Sequence, residues 1–325
     1  DMPESNHAPV ELPGERPLIL LTNDDGIQSP GLHAVAEALC DLGELLIVAP
    51  AEQQTGMGRA MPALSGDAQL QASRLTLTCQ DVQVYTITAS PAQAVLFGVL
   101  AIVQRRPALV VSGINHGENL GTTVTSSGTV GAALMAAELG VPGLAVSFET
   151  DAAYHFGYAH ELDWSVPAYF TRLFARAMLS AQLPFDVDVL KVDVPGEATA
   201  ETPWRITRQS KQPYYESLAP EQRFGVGPLR TLNYRVLIHW DTLEPDSDIS
   251  VFARDRLVSV TPLSHDLTAR TDLAALEGLL KFHEEDELGD GVPREMWAPE
   301  YREAVEEAEE MIKVAQGDDH DDGSQ

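Results

Sequence analysis

Two adjacent acidic residues, Asp24 and Asp25, come directly after an apolar run in the stretch LILLTNDDG. The run at 18–21 predicts a strand that is buried on both faces, as is typical of a parallel sheet. The carboxyl ends of such strands form the edge where ligands bind, so paired carboxylates there could hold a cation or accept a proton. Asp-Asp-Gly is also an ordinary turn sequence and Asp often caps a helix, so the pair alone leaves both interpretations open.

Further oxygen donors follow later predicted strands. Thr55 lies in the loop AEQQTGMGRAM after the second strand, and Asn115 follows a later one. Two carboxylates, a hydroxyl and a carboxamide suit a hard divalent cation, so we expect Mg²⁺ or Mn²⁺, whereas zinc would prefer His or Cys. Of the two nearby histidines, His33 falls in a helix pattern and is expected at the surface, and a substrate role for His116 stays open.

The segment 112–128 consists almost entirely of small or polar residues, and a helical pattern begins after it. A glycine-rich loop that leads into a helix N-terminus favours anions, so Ser127, Gly128 and Thr129 are predicted to bind phosphate. The loop has neither the Lys of a Walker motif nor a GxGxxG pattern, and its glycines could instead serve close packing. Gly56, in the loop around Thr55, would also let the backbone approach a ligand.

The elements that must position these residues alternate between strand and helix. This order predicts an α/β fold with a mostly parallel sheet and right-handed crossovers. The predicted strands are 18–21, 45–49, 108–111, 143–148 and 188–194 with two more within 70–88, and the predicted helices are 30–42, 91–103, 129–139 and 166–180.

Within 204–262 the alternation stops, and the runs WRIT, YRVLIHW and LVSVTPL predict antiparallel hairpins that project from the sheet. Arg205, Arg208 and Lys211 form a basic patch there, and salt bridges to the many carboxylates are an alternative explanation of it.

The ends of the chain are predicted to lie outside the main domain. We expect a disordered segment at 1–17, one domain at 18–270 and an acidic helical extension at 271–325. Within the extension, a helix is predicted from Thr271, a second at 301–315 and disorder after it.

Composition limits the possible partners. Asp and Glu number 49 against 21 Lys and Arg, and the formal charge of −28 argues against general binding to duplex nucleic acid or to an anionic membrane. Cys40 and Cys79 lie far apart without a CxxC partner, so we expect reduced thiols. No secretory signal and no apolar run of about 18 residues is visible, which predicts a cytoplasmic protein.

Several motifs occur together in a fixed order: TNDDG, VAP followed by QTG, SPAQAV, VVSGINHGENLG, SGTVGAA and SVTPL. Over about 18–268 this set resembles the SurE family of survival-protein nucleotidases. The resemblance implies a Rossmann-like three-layer sandwich that hydrolyses nucleoside 5′- and 3′-monophosphates, and other small phosphoesters or short polyphosphate are further possible substrates. It also implies assembly as a homodimer or homotetramer, for which the 204–262 region would be exchanged between subunits.

The same resemblance assigns roles to residues. Asp24, Asp25, Thr55 and Asn115 would bind one divalent metal ion per subunit, and one of the two acids would orient or deprotonate a metal-bound water. The substrate phosphate would contact residues on four segments, namely Asn23, Gly56, Asn119, Ser127, Gly128 and Thr129.

Two positions depart from the family pattern. Thr55 stands where Ser is usual, which keeps the hydroxyl and adds a methyl group. The segment 89–93 reads ASPAQ where GTPAD or GTPTD is usual, so base and ribose preferences do not carry over.

Two rival functions differ in class from this one. An aspartyl-phosphate phosphatase would use one Asp as nucleophile and a second acid two residues later, whereas these acids are adjacent. A nucleotide-binding module without turnover would be expected to lack metal ligands, and all four positions here carry oxygen donors.

Overall fold

The computed structural model describes residues 16–151, 162–219 and 233–285. The chain divides into two compact units, Asp1–Asp266 and Leu267–Gln325, and the first contains every residue of the candidate site. The segment predicted at 1–17 lies almost entirely outside the described residues, as do the helix predicted at 301–315 and the tail after it.

The first unit contains all eleven strands. Within the described residues they are β1 Leu18–Thr22, β2 Glu44–Pro50, β3 Leu70–Thr76, β4 Asp81–Ile87, β5 Leu109–His116, β6 Gly143–Phe148, β7 Val189–Val194, β8 Trp204–Ile206, β9 Tyr215–Ser217, β10 Tyr234–Val236 and β11 Val258–Leu263. Nine of them form one sheet in the order β3-β4-β2-β1-β5-β6-β7-β11-β8. The six strands from β4 to β7 in this order run parallel, as the alternation of strands and helices predicts.

Helices cover both faces of the sheet. They are α1 Pro30–Leu39, α2 Pro91–Phe97, which continues as a π-helical turn at Gly98–Ile102, α3 Gly128–Glu138 and α4 Ser165–Ser180, and the second unit contains α5 Leu273–Glu285. Leu21 packs with α1 and α4, whereas its neighbour Leu20 packs with α2 and α3. Successive side chains of a strand point to opposite faces, so β1 is buried at every position and the fold is a three-layer α/β sandwich.

The region 204–262 contributes strands to the main sheet and also forms a small separate antiparallel pair. β11 pairs antiparallel with β7 and parallel with β8, so both ends of the region extend the main sheet. Only β9 and β10 form a separate antiparallel pair, and the residues at 220–232 between them lie outside the described part. Short apolar runs show that a strand forms, but the partner of each strand depends on tertiary contacts.

β5 is longer than the predicted strand at 108–111, and it includes Asn115 and His116 instead of ending before them. Its pairing with β6 changes register between Ser112 and Asn115, which is an irregularity of the β-bulge kind. The bulge carries the strand through a glycine-rich sequence that reads as a loop. Asn115 and His116 are therefore positioned by the sheet itself.

The expectation of reduced cysteines is wrong for this structure. Cys40 and Cys79 form a disulfide, with their Cα atoms 6.0 Å apart. Although 39 residues separate them in sequence, the end of α1 lies against the turn between β3 and β4. The Gln80 side chain in this turn donates a hydrogen bond of 2.9 Å to the Gly43 carbonyl.

Two surface predictions can be compared with the structure. In the basic patch, Arg205 pairs with Asp255 at 2.7 Å and Arg208 pairs with Asp246 at 2.9 Å, which favours the salt-bridge interpretation. His33 is exposed on α1, as its helical pattern predicts. Among the described residues, no helix has the length and apolar character needed to cross a membrane.

Candidate active site

The acid pair lies at the carboxyl end of β1 and is almost fully buried, with 4% of Asp24 and 2% of Asp25 exposed. Burial in the first place, and the Asp25 carboxylate in the second, raise the pKa of Asp24 to about 7. Among the described residues, no Lys or Arg forms an ion pair with either carboxylate. Two buried carboxyl groups thus lie side by side without a Lys or Arg partner among the described residues, which is costly unless another group offsets their charge.

Asp24 faces the start of α3. The Thr129 hydroxyl donates a hydrogen bond to Asp24 Oδ1, and a Cβ atom on Gly128 would lie 2.7 Å from both Asp24 Cβ and Oδ2. Only glycine allows this approach. The Ser127 hydroxyl caps the helix by accepting the Val130 N–H at 3.1 Å. The predicted phosphate-binding turn thus lies beside Asp24, and the hydroxyls of Ser127 and Thr129 already hold protein groups.

Asp25 faces β5 instead. Its Oδ2 accepts the backbone N–H of His116 at 3.2 Å and lies 3.0 Å from the His116 ring Nδ1. Its Oδ1 accepts a longer bond of 3.3 Å from the Gln53 side chain. Asn115 precedes His116 and donates its amide N–H to the Gly117 carbonyl at 2.7 Å, so its amide oxygen is the atom suited to a cation.

Asn23 is fully buried at the start of the same turn. Its amide nitrogen donates to the Gly26 carbonyl at 3.0 Å, which fixes the turn that carries both acids. Its Oδ1 is buried and has no hydrogen-bond partner among the described residues. An unsatisfied buried oxygen is costly, so this atom is a further indication of a ligand near the acids.

The loop after β2 reaches the acids through its backbone. The Gln54 N–H donates to the Asp24 carbonyl at 2.7 Å, and the Gly58 N–H donates to the Ser126 carbonyl at 2.9 Å. Thr55 and Gly56 are exposed, and in the described part of the chain no hydrogen bond joins the Thr55 hydroxyl to the acids. The structure therefore brings the backbone of this loop to the acids, whereas a role for the Thr55 hydroxyl stays a prediction.

The donor set fits a hard divalent cation. Two buried carboxylates lie beside the end of β5, which carries the Asn115 amide. Within the described residues, no group of three or more His, Cys, Asp and Glu side chains is placed to hold a metal. Mg²⁺ and Mn²⁺ commonly bind through one or two carboxylates with water and substrate oxygens in the other positions. A cation would also offset the uncompensated charge of Asp24 and Asp25.

Asn119 is held by a buried ionic network that sequence reasoning missed. Its backbone N–H donates to Asp193 at 2.7 Å and its side-chain amide donates to the Ser147 hydroxyl at 2.8 Å. Lys191 lies 2.5 Å from Asp193 and 3.3 Å from Asp248, and all three side chains are fully buried. The available signal was a lysine and an aspartate inside the otherwise apolar strand VLKVDV.

Glu118, which directly precedes Asn119, is also a buried acid. It accepts a hydrogen bond of 2.7 Å from the Tyr215 hydroxyl, which joins the loop to β9. Burial raises the pKa of Glu118 to about 7. The residue thus links the segment after β5 to the region between β8 and β11.

The architecture is that of an α/β protein, and the acid pair lies at the carboxyl edge of its parallel strands, where proteins of this class bind ligands. The family model described as "Survival protein SurE" matches residues 19–216. The 5′-nucleotidase SurE of Thermococcus gammatolerans is 39% identical over 263 residues, covering 81% of this chain and 95% of that protein. The 5′-nucleotidase SurE of Methanocella arvoryzae is 38% identical over 269 residues, covering 81% and 97%.

A solved structure agrees with these sequence matches. The crystal structure of the SurE protein from Aquifex aeolicus has a TM-score of 0.60 and 30% identity to this chain, and the match covers 83% of this chain and 100% of that one. The chain belongs to the SurE survival-protein family.

Proposed function

We propose that this chain hydrolyses the phosphoester bond of nucleoside 5′-monophosphates, and also of 3′-monophosphates, with one Mg²⁺ or Mn²⁺ per subunit. The observation that carries the proposal is the buried acid pair at the end of β1, which forms no ion pair with a Lys or Arg of the described residues and lies against the start of α3. The names of the relatives, 5′-nucleotidase SurE, support the substrate class.

In the proposed mechanism, Asp24, Asp25, Thr55 and Asn115 would hold the cation. When bound, the cation polarises a phosphoryl oxygen and lowers the pKa of a coordinated water. One of the two acids orients that water or accepts its proton. Burial of both carboxylates keeps them in a medium where their charge acts strongly.

The phosphate would be held beside the acids, at the start of α3. The start of α3 offers backbone N–H groups and the positive end of the helix dipole, which favour an anion. Asn119, fixed by Asp193 and Ser147, stabilises charge on the phosphoryl group as the bond breaks. Asn23 and Gly56 are proposed to complete the substrate contacts.

The direct test is release of phosphate from nucleoside monophosphates by the metal-stripped chain with added Mn²⁺, Mg²⁺ or chelator. We expect turnover only with metal, and a loss of about 10²-fold or more in Asp24→Asn and Asp25→Asn because each removes a charge that the cation needs. Both substitutions keep the side-chain volume, so thermal unfolding of the variants serves as the folding control. Wild-type turnover in both variants would overturn the assignment of the site.

We also propose that the chain acts as a homodimer or homotetramer and accepts other small phosphoesters or short polyphosphate. Exposed apolar side chains on the outer strand β8, Trp204 and Ile206, support an interface there. This strand lies within the region 204–262 and forms the outer edge of the main sheet.

A further inference from the structure

His116 is the buried group in closest contact with the acid pair that the proposed mechanism does not use. Its side chain is fully buried, and its ring Nδ1 lies 3.0 Å from Asp25 Oδ2. The backbone N–H of the same residue donates to the same oxygen at 3.2 Å. One residue thus makes two polar contacts to one oxygen of Asp25.

The surroundings of the ring fix its orientation. The Trp164 ring meets it edge-on, with centroids 4.8 Å apart, and Trp164 in turn packs on Phe148 at 5.7 Å. Ring Nε2 is buried without a hydrogen-bond partner among the described residues. An imidazole with its single proton on Nδ1 donates that proton to Asp25 and leaves no N–H unpaired.

These contacts leave the two oxygens of Asp25 in different situations. Among the residues that the structure describes, Oδ2 takes both contacts from His116, whereas Oδ1 takes the single 3.3 Å bond from Gln53. Oδ1 is therefore the oxygen of Asp25 that is more available to bind a cation. Groups that hydrogen-bond to a metal ligand in this way orient it, and their loss typically weakens metal binding by about 10- to 100-fold.

We propose that His116 is a positioning residue, which fixes the Asp25 carboxylate by a hydrogen bond from Nδ1 so that Oδ1 faces the divalent cation. The inference rests on the proposed function, because it takes Asp25 as a metal ligand. It goes beyond that function in giving His116 a role that depends on one ring nitrogen.

The geometry of the ring suggests substitutions that separate this role from simple packing. In His116→Asn the amide nitrogen falls close to the position of Nδ1 and keeps the bond to Asp25. In His116→Gln the amide reaches the position of Nε2, and in His116→Leu the donor is lost. His33→Leu on the exposed face of α1 is the matched control, because it removes an imidazole outside the site.

The experiment measures the Kd for Mn²⁺ of the metal-stripped full chain by electron paramagnetic resonance, together with kcat and KM for a nucleoside monophosphate. We expect His116→Leu and His116→Gln to weaken Mn²⁺ binding by about tenfold and to lower kcat with little change in KM. His116→Asn should recover most of both, and His33→Leu should match the wild type. If the Leu variant does not fold, the comparison of Asn with Gln decides.

The possible outcomes separate this inference from the proposed function. If the wild type binds Mn²⁺ and the Gln and Leu variants bind it equally well, the inference is overturned and the proposed function stands. Equal losses in the Asn and Gln variants would show a packing role and would also overturn it. A wild type that binds no Mn²⁺ would overturn both.

Discussion

Asp24 and Asp25 are neighbours in sequence, yet different parts of the protein support them. Successive residues at the end of a strand point to opposite sides, so Asp24 meets α3 and Asp25 meets β5. Each carboxylate is therefore fixed by a different element, Asp24 by α3 and Asp25 by β5. This explains how an ordinary turn sequence becomes a rigid pair of acids.

Thr55 provides a prediction at the scale of a single side chain. We expect Thr55→Ser to keep nearly full activity and Thr55→Val to lose at least about tenfold in kcat, because Val keeps the shape but removes the proposed ligand oxygen. The residue is exposed, so neither change should affect stability. Steady-state kinetics at saturating Mn²⁺ measure the effect, and equal rates in the two variants would exclude Thr55 as a ligand.

Glu118 predicts a dependence of stability on pH. Burial raises the pKa of Glu118 from 4.5 to about 7 in the folded state, which therefore holds this proton more tightly than the unfolded state does. Its contribution to stability is complete below pH 4.5 and is lost as the pH rises through about 7. A shift of this size corresponds to about 3 kcal/mol.

The variant Glu118→Gln should remove this dependence, because the amide oxygen still accepts the Tyr215 hydroxyl but cannot ionise. Chemical denaturation at about pH 5 and about pH 8 measures the free energy of unfolding. Between these two pH values, we expect the free energy of unfolding to fall more in the wild type than in Glu118→Gln. Glu201→Gln, on the exposed surface, is the control, and the same pH dependence in both variants would contradict the prediction.

At the scale of elements, the start of α3 is the most constrained part of the site. A Cβ atom on Gly128 would lie 2.7 Å from Asp24, so Gly128→Ala forces the helix and the acid apart. We expect a loss of about 1–3 kcal/mol in stability and a fall of at least about tenfold in kcat/KM.

Gly66→Ala is the matched control, since nothing lies within 4 Å of a Cβ atom at that position. It should leave both the free energy of unfolding and kcat/KM at wild-type values. Denaturant titrations and steady-state kinetics on the two variants provide the comparison. A Gly128→Ala variant with the same kcat/KM as Gly66→Ala would contradict the prediction, because α3 and Asp24 could then move apart without loss of activity.

At the scale of the whole molecule, the outer strand β8 suggests an assembly. Trp204 is 49% and Ile206 56% exposed at the edge of the nine-stranded sheet, where a second strand could pair. We therefore expect light scattering to give at least twice the chain mass of 35.2 kDa. Ile206→Lys should lower this mass, because a charge at a sheet edge opposes pairing.

The acidic C-terminal segment provides the control for this prediction. Deletion of 295–325 should leave the number of chains per assembly unchanged, because the apolar stripe of its predicted helix is too narrow to form an essential contact. A monomeric wild type, or a truncated chain that dissociates, would contradict an interface at β8.

Much of the fold follows from local sequence patterns. Buried strands such as β1 and amphipathic helices such as α1 are recognisable because burial repeats with the period of the element itself. The Ser127 cap of α3 and the acids after β1 are also local features. The sequence by itself therefore determined the α/β class and most of the residues proposed for the site.

Tertiary structure alone decided which distant groups meet. His116 and Asp25 are 91 residues apart, Cys40 and Cys79 are 39 apart, and nothing in their local patterns predicts either contact. The place of β11 beside β7 is likewise a choice among strand partners that short apolar runs do not specify. Such contacts depend on the order of strands in the sheet, because that order sets which loops and strand ends share an edge.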